Sequence, residues 1–157
     1  MLKKLKKPNS EGFTIIEIMI VLAIAGLILL IVFLAVPALQ RNARNTAIKN
    51  DASTLAGGIT TYQSDNNGTI PTSVLGTGSV VITSKSGNSE TSKVQGSTAV
   101  TTVPKAPATV PTGTIQVVIG ATCPTALGGT GTTSTRAFSI FYSVETSGGN
   151  TLTCLDS

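Results

Sequence analysis

Residues 13–36 read FTIIEIMIVLAIAGLILLIVFLAV, and the 19 residues from Ile18 to Val36 include no charged side chain. A helix rises about 1.5 Å per residue, so a helix over residues 13–36 extends for roughly 36 Å. That length exceeds the roughly 30 Å of a bilayer's hydrocarbon core. The sequence therefore predicts a helix that can span a membrane.

A basic, polar segment precedes this apolar run. Residues 1–12 read MLKKLKKPNSEG, and they contain four lysines but no apolar stretch of their own. An ordinary secretory signal has its apolar stretch before a cleavage site made of small residues. Here the candidate at the end of the apolar run, Leu34-Ala35-Val36-Pro37, is a poor site because of its proline. An ordinary cleaved signal and a permanent anchor for an unrelated domain stay as less favoured alternatives.

Glu17 is the one charged residue inside the apolar run. A carboxylate costs about 2.5–3.5 kcal/mol near the centre of a membrane helix, less near an end, and such residues usually have a partner. A cut between Gly12 and Phe13 would create an α-ammonium group four residues from Glu17, on the same helix or on a neighbour. A second interpretation is a capping box that opens the helix, because Thr14 and Glu17 have the required spacing.

Residues 12–21, GFTIIEIMIV, resemble the cleavage and assembly motif of type IV pilins and their pseudopilin relatives. The resemblance covers roughly residues 3–40. It implies that a membrane aspartyl prepilin peptidase cuts after Gly12 and methylates the new N-terminal residue, Phe13. It also implies that Glu17 neutralises the N-terminus of a neighbouring subunit and so sets the register of a filament.

The role that the resemblance implies is mechanical rather than enzymatic. It predicts a subunit that crosses the cytoplasmic (inner) membrane once and then associates with copies of itself in an extracellular helical filament. The expected partners are the prepilin peptidase, an assembly platform and a motor, and no catalytic residue, cofactor or metal is expected. Such a filament supports adhesion, twitching motility or DNA uptake. The alternatives are a pseudopilin of a type II secretion-like system and a minor pilin that acts as an adhesin or DNA-binding tip.

The apolar run is predicted to continue into an amphipathic helix. Pro37 cannot donate a hydrogen bond to the carbonyl of Phe33, so it predicts a kink; the proline usual in the family lies three residues earlier. Beyond it, one apolar stripe recurs at helical spacing, and it consists of Ile48, Ala52, Leu55, Ile59 and Tyr62. Residues 65–68, DNNG, predict the end of the helix because Asn and Gly tolerate the left-handed conformation. A helix over residues 13–64 is therefore expected, with the stripe packed on the rest of the chain.

The remainder of the chain predicts short strands. Residues 115–119 and 137–144 are the best candidates, and the turn at residues 147–150, SGGN, leads to a further strand at residues 151–154. Residues 76–114 are rich in Thr, Ser, Gly and Pro. They predict a variable loop with one or two short strands.

The expected fold class is α+β, with a long N-terminal helix packed on a small antiparallel sheet, as in type IV pilins. The predicted divisions are a leader at residues 1–12, a transmembrane assembly helix at 13–36, an amphipathic helix at 37–68 and a β-rich head at 69–157.

The chain has two cysteines, Cys123 and Cys154, and no histidine. Histidine-dependent triads, zinc sites with histidine ligands and Cys–His nucleophile pairs are therefore excluded. Two cysteines downstream of a membrane segment predict a disulfide in an oxidising compartment, and many pilins have a disulfide-bounded C-terminal region. Two free buried thiols are the alternative. A cytoplasmic N-terminus fits both this prediction and the lysines of the leader.

The charge of the chain is concentrated in the leader. Residues 13–157 carry seven Lys or Arg against six Asp or Glu, without a basic patch interleaved with aromatic residues. Nucleic-acid binding is therefore unsupported, although it stays open. Asn67-Gly68-Thr69 has the form of an N-glycosylation sequence, but such triplets arise easily in a chain rich in Thr and Ser, whose side chains are more simply solvated surface.

Overall fold

The computed structural model describes residues 12–126, 129 and 131–157, so leader residues 1–11 lie outside it. The described residues form one helix and then seven strands. These are α1 (Ile15–Asp65), β1 (Ser73–Thr77), β2 (Ser79–Thr83), β3 (Ser89–Lys93), β4 (Ala99–Val103), β5 (Thr114–Ala121), β6 (Thr133–Thr146) and β7 (Gly149–Asp156). The predicted α+β class with a long N-terminal helix is confirmed.

The chain divides into two compact units, Met1–Leu39 and Gln40–Ser157. The described part of the first unit is the apolar half of α1 and the residues just before it. The second unit contains the rest of α1 and the whole sheet. The helical assignment continues through Pro37.

The apolar stripe predicted on the second half of α1 is confirmed. Its five residues are all buried, and they are joined by one residue that the stripe did not include, Asp51. They contact buried side chains of the sheet, among them Ile82, Ile115 and Phe138. The 3.6-residue period therefore identified the face of the helix that packs on the sheet.

The helix ends where the sequence predicts, at residues 65–68. Asn67 has φ 55° and Gly68 has φ 77°. The amide of Gly68 donates a hydrogen bond to the carbonyl oxygen of Gln63 at 2.6 Å. This bond and the left-handed residue before it are features of a Schellman motif, which satisfies carbonyl groups at the end of the helix.

The strands form a single seven-stranded sheet in the order β3-β2-β1-β4-β5-β6-β7. Every neighbouring pair is antiparallel except β4 and β5, which run parallel. The predicted strands at residues 115–119, 137–144 and 151–154 correspond to parts of β5, β6 and β7. Ser147 and Gly148 make the tight turn between β6 and β7.

Residues 76–114 contain more strands than the predicted variable loop with one or two short strands. All of β2, β3 and β4 and the last two residues of β1 lie in this stretch, and these are four of the seven strands of the sheet. Their buried residues include Val80, Ile82 and Val100. Threonine and valine both occur readily in strands. A segment whose composition favours a loop therefore forms several short strands here.

The centre of the sheet is covered on both faces. One face packs on α1, and the other carries a smaller cluster of Val110, Val118 and Phe141. Val110 belongs to residues 104–113, which connect the parallel strands β4 and β5. Residues 137–143 of β6 are consequently buried without interruption, as expected for a strand packed on both faces.

Cys123 and Cys154 form the predicted disulfide, with their Cα atoms 6.0 Å apart. Cys123 follows β5, and Cys154 lies in β7. The amide of Cys123 also donates a hydrogen bond to Asp156 Oδ1 at 2.5 Å. The disulfide and this hydrogen bond therefore attach the edge strand β7 to the connection between β5 and β6.

Candidate assembly site

The first unit presents its apolar side chains to the outside. The large hydrophobic side chains of residues 13–39 are between 39% exposed, at Val36, and 84% exposed, at Phe13. α1 is the one helix among the described residues that is long and apolar enough to cross a membrane, and its most apolar 18-residue window has a mean hydropathy of 3.3 and no buried residue. Contiguous apolar surface of this extent marks a membrane or protein contact. Lipid or other protein chains must supply its burial.

The peptide bond between Gly12 and Phe13 lies just before α1. Gly12, Phe13 and Thr14 are exposed and have no helical assignment, since α1 begins at Ile15. A Cβ atom added at residue 12 would meet no atom of residues 12–126, 129 and 131–157 within 4 Å. The bond that the resemblance marks for cleavage is therefore outside regular structure and open on the side of Gly12.

Glu17 and Thr14 form the capping box that the sequence predicts as one of two roles for this glutamate. The amide of Thr14 donates to Glu17 Oε2 at 2.9 Å, and the hydroxyl of Thr14 donates to the same oxygen at 2.6 Å. In return the amide of Glu17 donates to Thr14 Oγ1 at 3.3 Å. These reciprocal bonds satisfy amide groups at the start of α1.

The capping box leaves part of the carboxylate available. Both bonds from Thr14 end on Oε2, and no hydrogen bond from the described residues reaches Oε1 of Glu17. A carboxylate can accept about four hydrogen bonds. The ion pair found in the described part of the chain joins Arg44 to Glu145 and does not involve Glu17. Glu17 can therefore accept a cationic group while it caps the helix.

In the second unit, α1 is tied to the end of β6 by side chains that the sequence analysis did not single out. Arg44 donates from Nε to Glu145 Oε1 at 2.8 Å and from Nη2 to Oε2 at 2.6 Å. Asn45 donates to the carbonyl oxygen of Glu145 at 2.7 Å and accepts from its amide at 2.8 Å. The hydrogen bond from Arg44 lowers the pKa of Glu145 below its ordinary value. These four bonds fix the helix to the sheet directly after the apolar segment.

Asp51 is a buried carboxylate on α1, 4% exposed. It accepts a hydrogen bond from the amide of Gln95 at 2.9 Å through Oδ1 and one from the hydroxyl of Thr98 at 2.5 Å through Oδ2. Gln95 and Thr98 lie between β3 and β4. A buried charge is tolerated when such bonds satisfy it, so Asp51 holds this connection against the helix.

We expect Asp51→Ala to destabilise the second unit by about 2–3 kcal/mol, because it leaves a buried amide and a hydroxyl without their charged acceptor. Denaturant unfolding of the detergent-solubilised chain measures this through the fluorescence of Tyr62 and Tyr142, both buried in the core. Asp51→Asn keeps the shape and one acceptor oxygen, so it should cost less. Equal stability of Asp51→Ala and the parent chain would contradict the assigned role.

The described head offers little that resembles a catalytic or metal centre. A cavity of about 360 Å³ lies beside Arg44 and Glu145, and it is lined by polar residues such as Gln95, Ser97 and Thr98. No group of three His, Cys, Asp or Glu side chains in the described residues could hold a metal ion. The geometry therefore directs attention to the assembly segment.

Comparison with known proteins bears on that same segment. Residues 7–33 match the family model of the prokaryotic N-terminal methylation motif. No curated protein and no solved structure matches the chain. The matched residues include Gly12, Phe13 and Glu17, and they cover 27 of the 157 residues.

The matched motif points to a structural subunit rather than to an enzyme. It implies processing by a prepilin peptidase and assembly into pilus filaments. Together with the apolar helix, it indicates insertion into a membrane before assembly. The chain thus carries the N-terminal methylation motif of the class III leaders of type IV pilins, and this motif supports a type IV pilin or pseudopilin.

Proposed function

We propose that this protein is the structural subunit of a type IV pilus-like filament. A prepilin peptidase cuts it after Gly12 and methylates Phe13, and α1 then packs with the same helix of other copies. The observation that carries the proposal is Glu17, a carboxylate in an otherwise apolar, exposed helical segment with Oε1 unused among the described residues. A cation supplied from elsewhere is the natural complement to this group.

The cut itself creates that cation. Removal of residues 1–12 turns the amide nitrogen of Phe13 into an α-ammonium group, and methylation preserves its positive charge. Pairing with Glu17 of a neighbouring copy removes the penalty of an isolated carboxylate in apolar surroundings, about 2.5–3.5 kcal/mol at a helix centre and less near an end. Because the pair forms only at one axial offset between two helices, it fixes the register of the filament.

The apolar packing around this pair supplies little net driving force. Lipid tails are as apolar as leucine side chains, so a helix that leaves a bilayer for a helix-lined core gains little from burial alone. Assembly is then close to balance, and a cytoplasmic motor acting through an assembly platform can drive it in either direction. Growth and retraction of this kind serve adhesion, twitching motility or DNA uptake at the cell surface.

Gly12→Val tests the cleavage step. We expect this precursor to be inserted in the membrane, to keep residues 1–12 and to form no filaments, because a branched side chain now adjoins the bond to be cut. A Cβ atom at residue 12 meets no atom of the described residues within 4 Å, so we expect the described fold to be preserved. Mass spectrometry of the membrane-bound chain measures the leader, with Ser10→Ala as a matched control that is cut normally. Normal removal of the leader from Gly12→Val would refute the cleavage site.

A further inference from the structure

Asn67-Gly68-Thr69 is the only Asn-x-Ser/Thr triplet in the sequence, and the fold places it on an exposed turn. The triplet directly follows α1, and both Asn67 and Thr69 are exposed. An Asn-x-Ser/Thr triplet with no proline at its centre is the acceptor sequence for N-linked sugars, and its structural context should be a surface loop of an exported protein. The turn after α1 meets the first of these two conditions.

Two adjacent asparagines on this turn differ in what their side chains do. Asn66 donates from Nδ2 to the carbonyl oxygen of Tyr62 at 2.8 Å, and its Oδ1 accepts a bond from Asn88 at 2.5 Å. The side chain of Asn67 makes no hydrogen bond to any described residue. The amide group of Asn66 is therefore structural, whereas that of Asn67 is available for modification.

The backbone conformation explains why an asparagine is favourable at residue 67, but it does not explain why a threonine lies two residues later. The φ of 55° at Asn67 suits the left-handed position after a helix, where glycine serves as well as asparagine or better. Asp65 lies two residues before it and is exposed. The turn therefore presents an exposed acidic side chain and the unbonded amide of Asn67, followed by Thr69, whose hydroxyl donates to the carbonyl oxygen of Asn66 at 2.5 Å.

The disulfide supplies the second condition, export. A bond between Cys123 and Cys154 forms in an oxidising compartment, and Asn67 belongs to the same compact unit. Sugars carried on membrane lipids are transferred to proteins on that side of a membrane. Export of the second unit is sufficient for this modification, whether or not the chain forms filaments.

We infer that Asn67 is the acceptor of an N-linked oligosaccharide from a lipid-pyrophosphate donor. In this transfer Asn67 Nδ2 forms a bond to the anomeric carbon of the first sugar. The bond between that carbon and the pyrophosphate oxygen breaks, and the lipid pyrophosphate leaves. The amide proton passes to a base on the transferase, so nothing is oxidised or reduced.

The test is mass spectrometry of the tryptic peptide 50–85, which follows Lys49, ends at Lys85 and contains the whole triplet. The chain is taken from the membrane fraction of cells that make it naturally, so filament formation is not needed. We expect the peptide to carry the added mass of an oligosaccharide, with fragment ions that locate it on Asn67. A fully unmodified peptide, or a sugar on a serine or threonine hydroxyl, would overturn the inference.

Matched variants separate the acceptor from the turn. Asn67→Gly keeps the left-handed position favourable and should leave the head folded, but it removes the added mass. Thr69→Ser keeps the triplet and the sugar, whereas Thr69→Val abolishes it. An added mass that persists on peptide 50–85 in Asn67→Gly or Thr69→Val would also overturn the assignment.

Discussion

Glu17→Gln is expected to abolish filaments while the precursor is still inserted in the membrane and cut after Gly12. Glutamine serves as well as glutamate in a capping box, so the start of α1 is kept. What the variant loses is the charge that pairs with the ammonium group of Phe13 on a neighbouring copy. The ammonium group left unpaired costs at most about 2.5–3.5 kcal/mol per added subunit, the value at a helix centre, and less near an end, so each addition is weakened at most roughly 400-fold. Electron microscopy of surface filaments measures the outcome, and mass spectrometry of the membrane fraction measures cleavage.

Thr14→Ala is the matched control for this experiment. It removes the hydroxyl that bonds to Glu17 Oε2 and accepts from the Glu17 amide, but it keeps the carboxylate. We expect filaments to form in this variant, since the loss of one helix cap costs only about 1 kcal/mol. Normal filaments in Glu17→Gln would show that assembly does not need the charge. Loss of filaments in Thr14→Ala alone would show that assembly needs the capping box.

Removal of the disulfide is expected to have the largest effect on the stability of the head. Cys123 and Cys154 are 31 residues apart, and the loop-entropy model assigns about 3–4 kcal/mol to a bond of this span. The double variant Cys123→Ser/Cys154→Ser should lose that amount in denaturant unfolding, because β7 then keeps its pairing with β6 and the hydrogen bond from the amide of residue 123 to Asp156 but loses the covalent link. Tyrosine fluorescence of the detergent-solubilised chain measures the change.

Chemical reduction supplies the control for the double variant. The parent chain in a thiol reductant should unfold at the same denaturant concentration as the double variant, while the reductant should leave the variant unchanged. A difference below about 1 kcal/mol between parent and variant would mean that the sheet and α1 hold the head without the bond.

The helix was predictable because its signals are local. The stripe from Ile48 to Tyr62 repeats every three or four residues, and this period places all its members on one face. The stop at residues 65–68 is a property of those four residues. Likewise, Thr14 and Glu17 are three residues apart, so their spacing alone indicates the capping box that the structure contains.

The sequence predicts only one or two of the strands before β5, because the stability of these strands depends on distant residues. β4 pairs with β5 in parallel, and the connection between them brings Val110 onto Val118 and Phe141 across the outer face. The strands of residues 73–103 are five residues each. Segments that short have no period long enough to distinguish them from a loop, and their pairing decides their structure.

The polar contacts between α1 and the rest of the second unit were not predictable from the sequence for the same reason. Arg44 and Glu145 are 101 residues apart, and Asp51 and Thr98 are 47 apart. Neither pair has a spacing that predicts contact. Glu17 is the opposite case, since its sequence context raised two roles, of which the capping box is present and the charge pair is a proposal for the assembled state.

N-terminal mass spectrometry of sheared surface material tests whether cleavage after Gly12 frees the ammonium group that we propose pairs with Glu17 in a filament. We expect a filament subunit that begins at a methylated Phe13 and lacks residues 1–12. A chain recovered only in the membrane with its lysine-rich leader attached, or one that begins after residue 36, would contradict it.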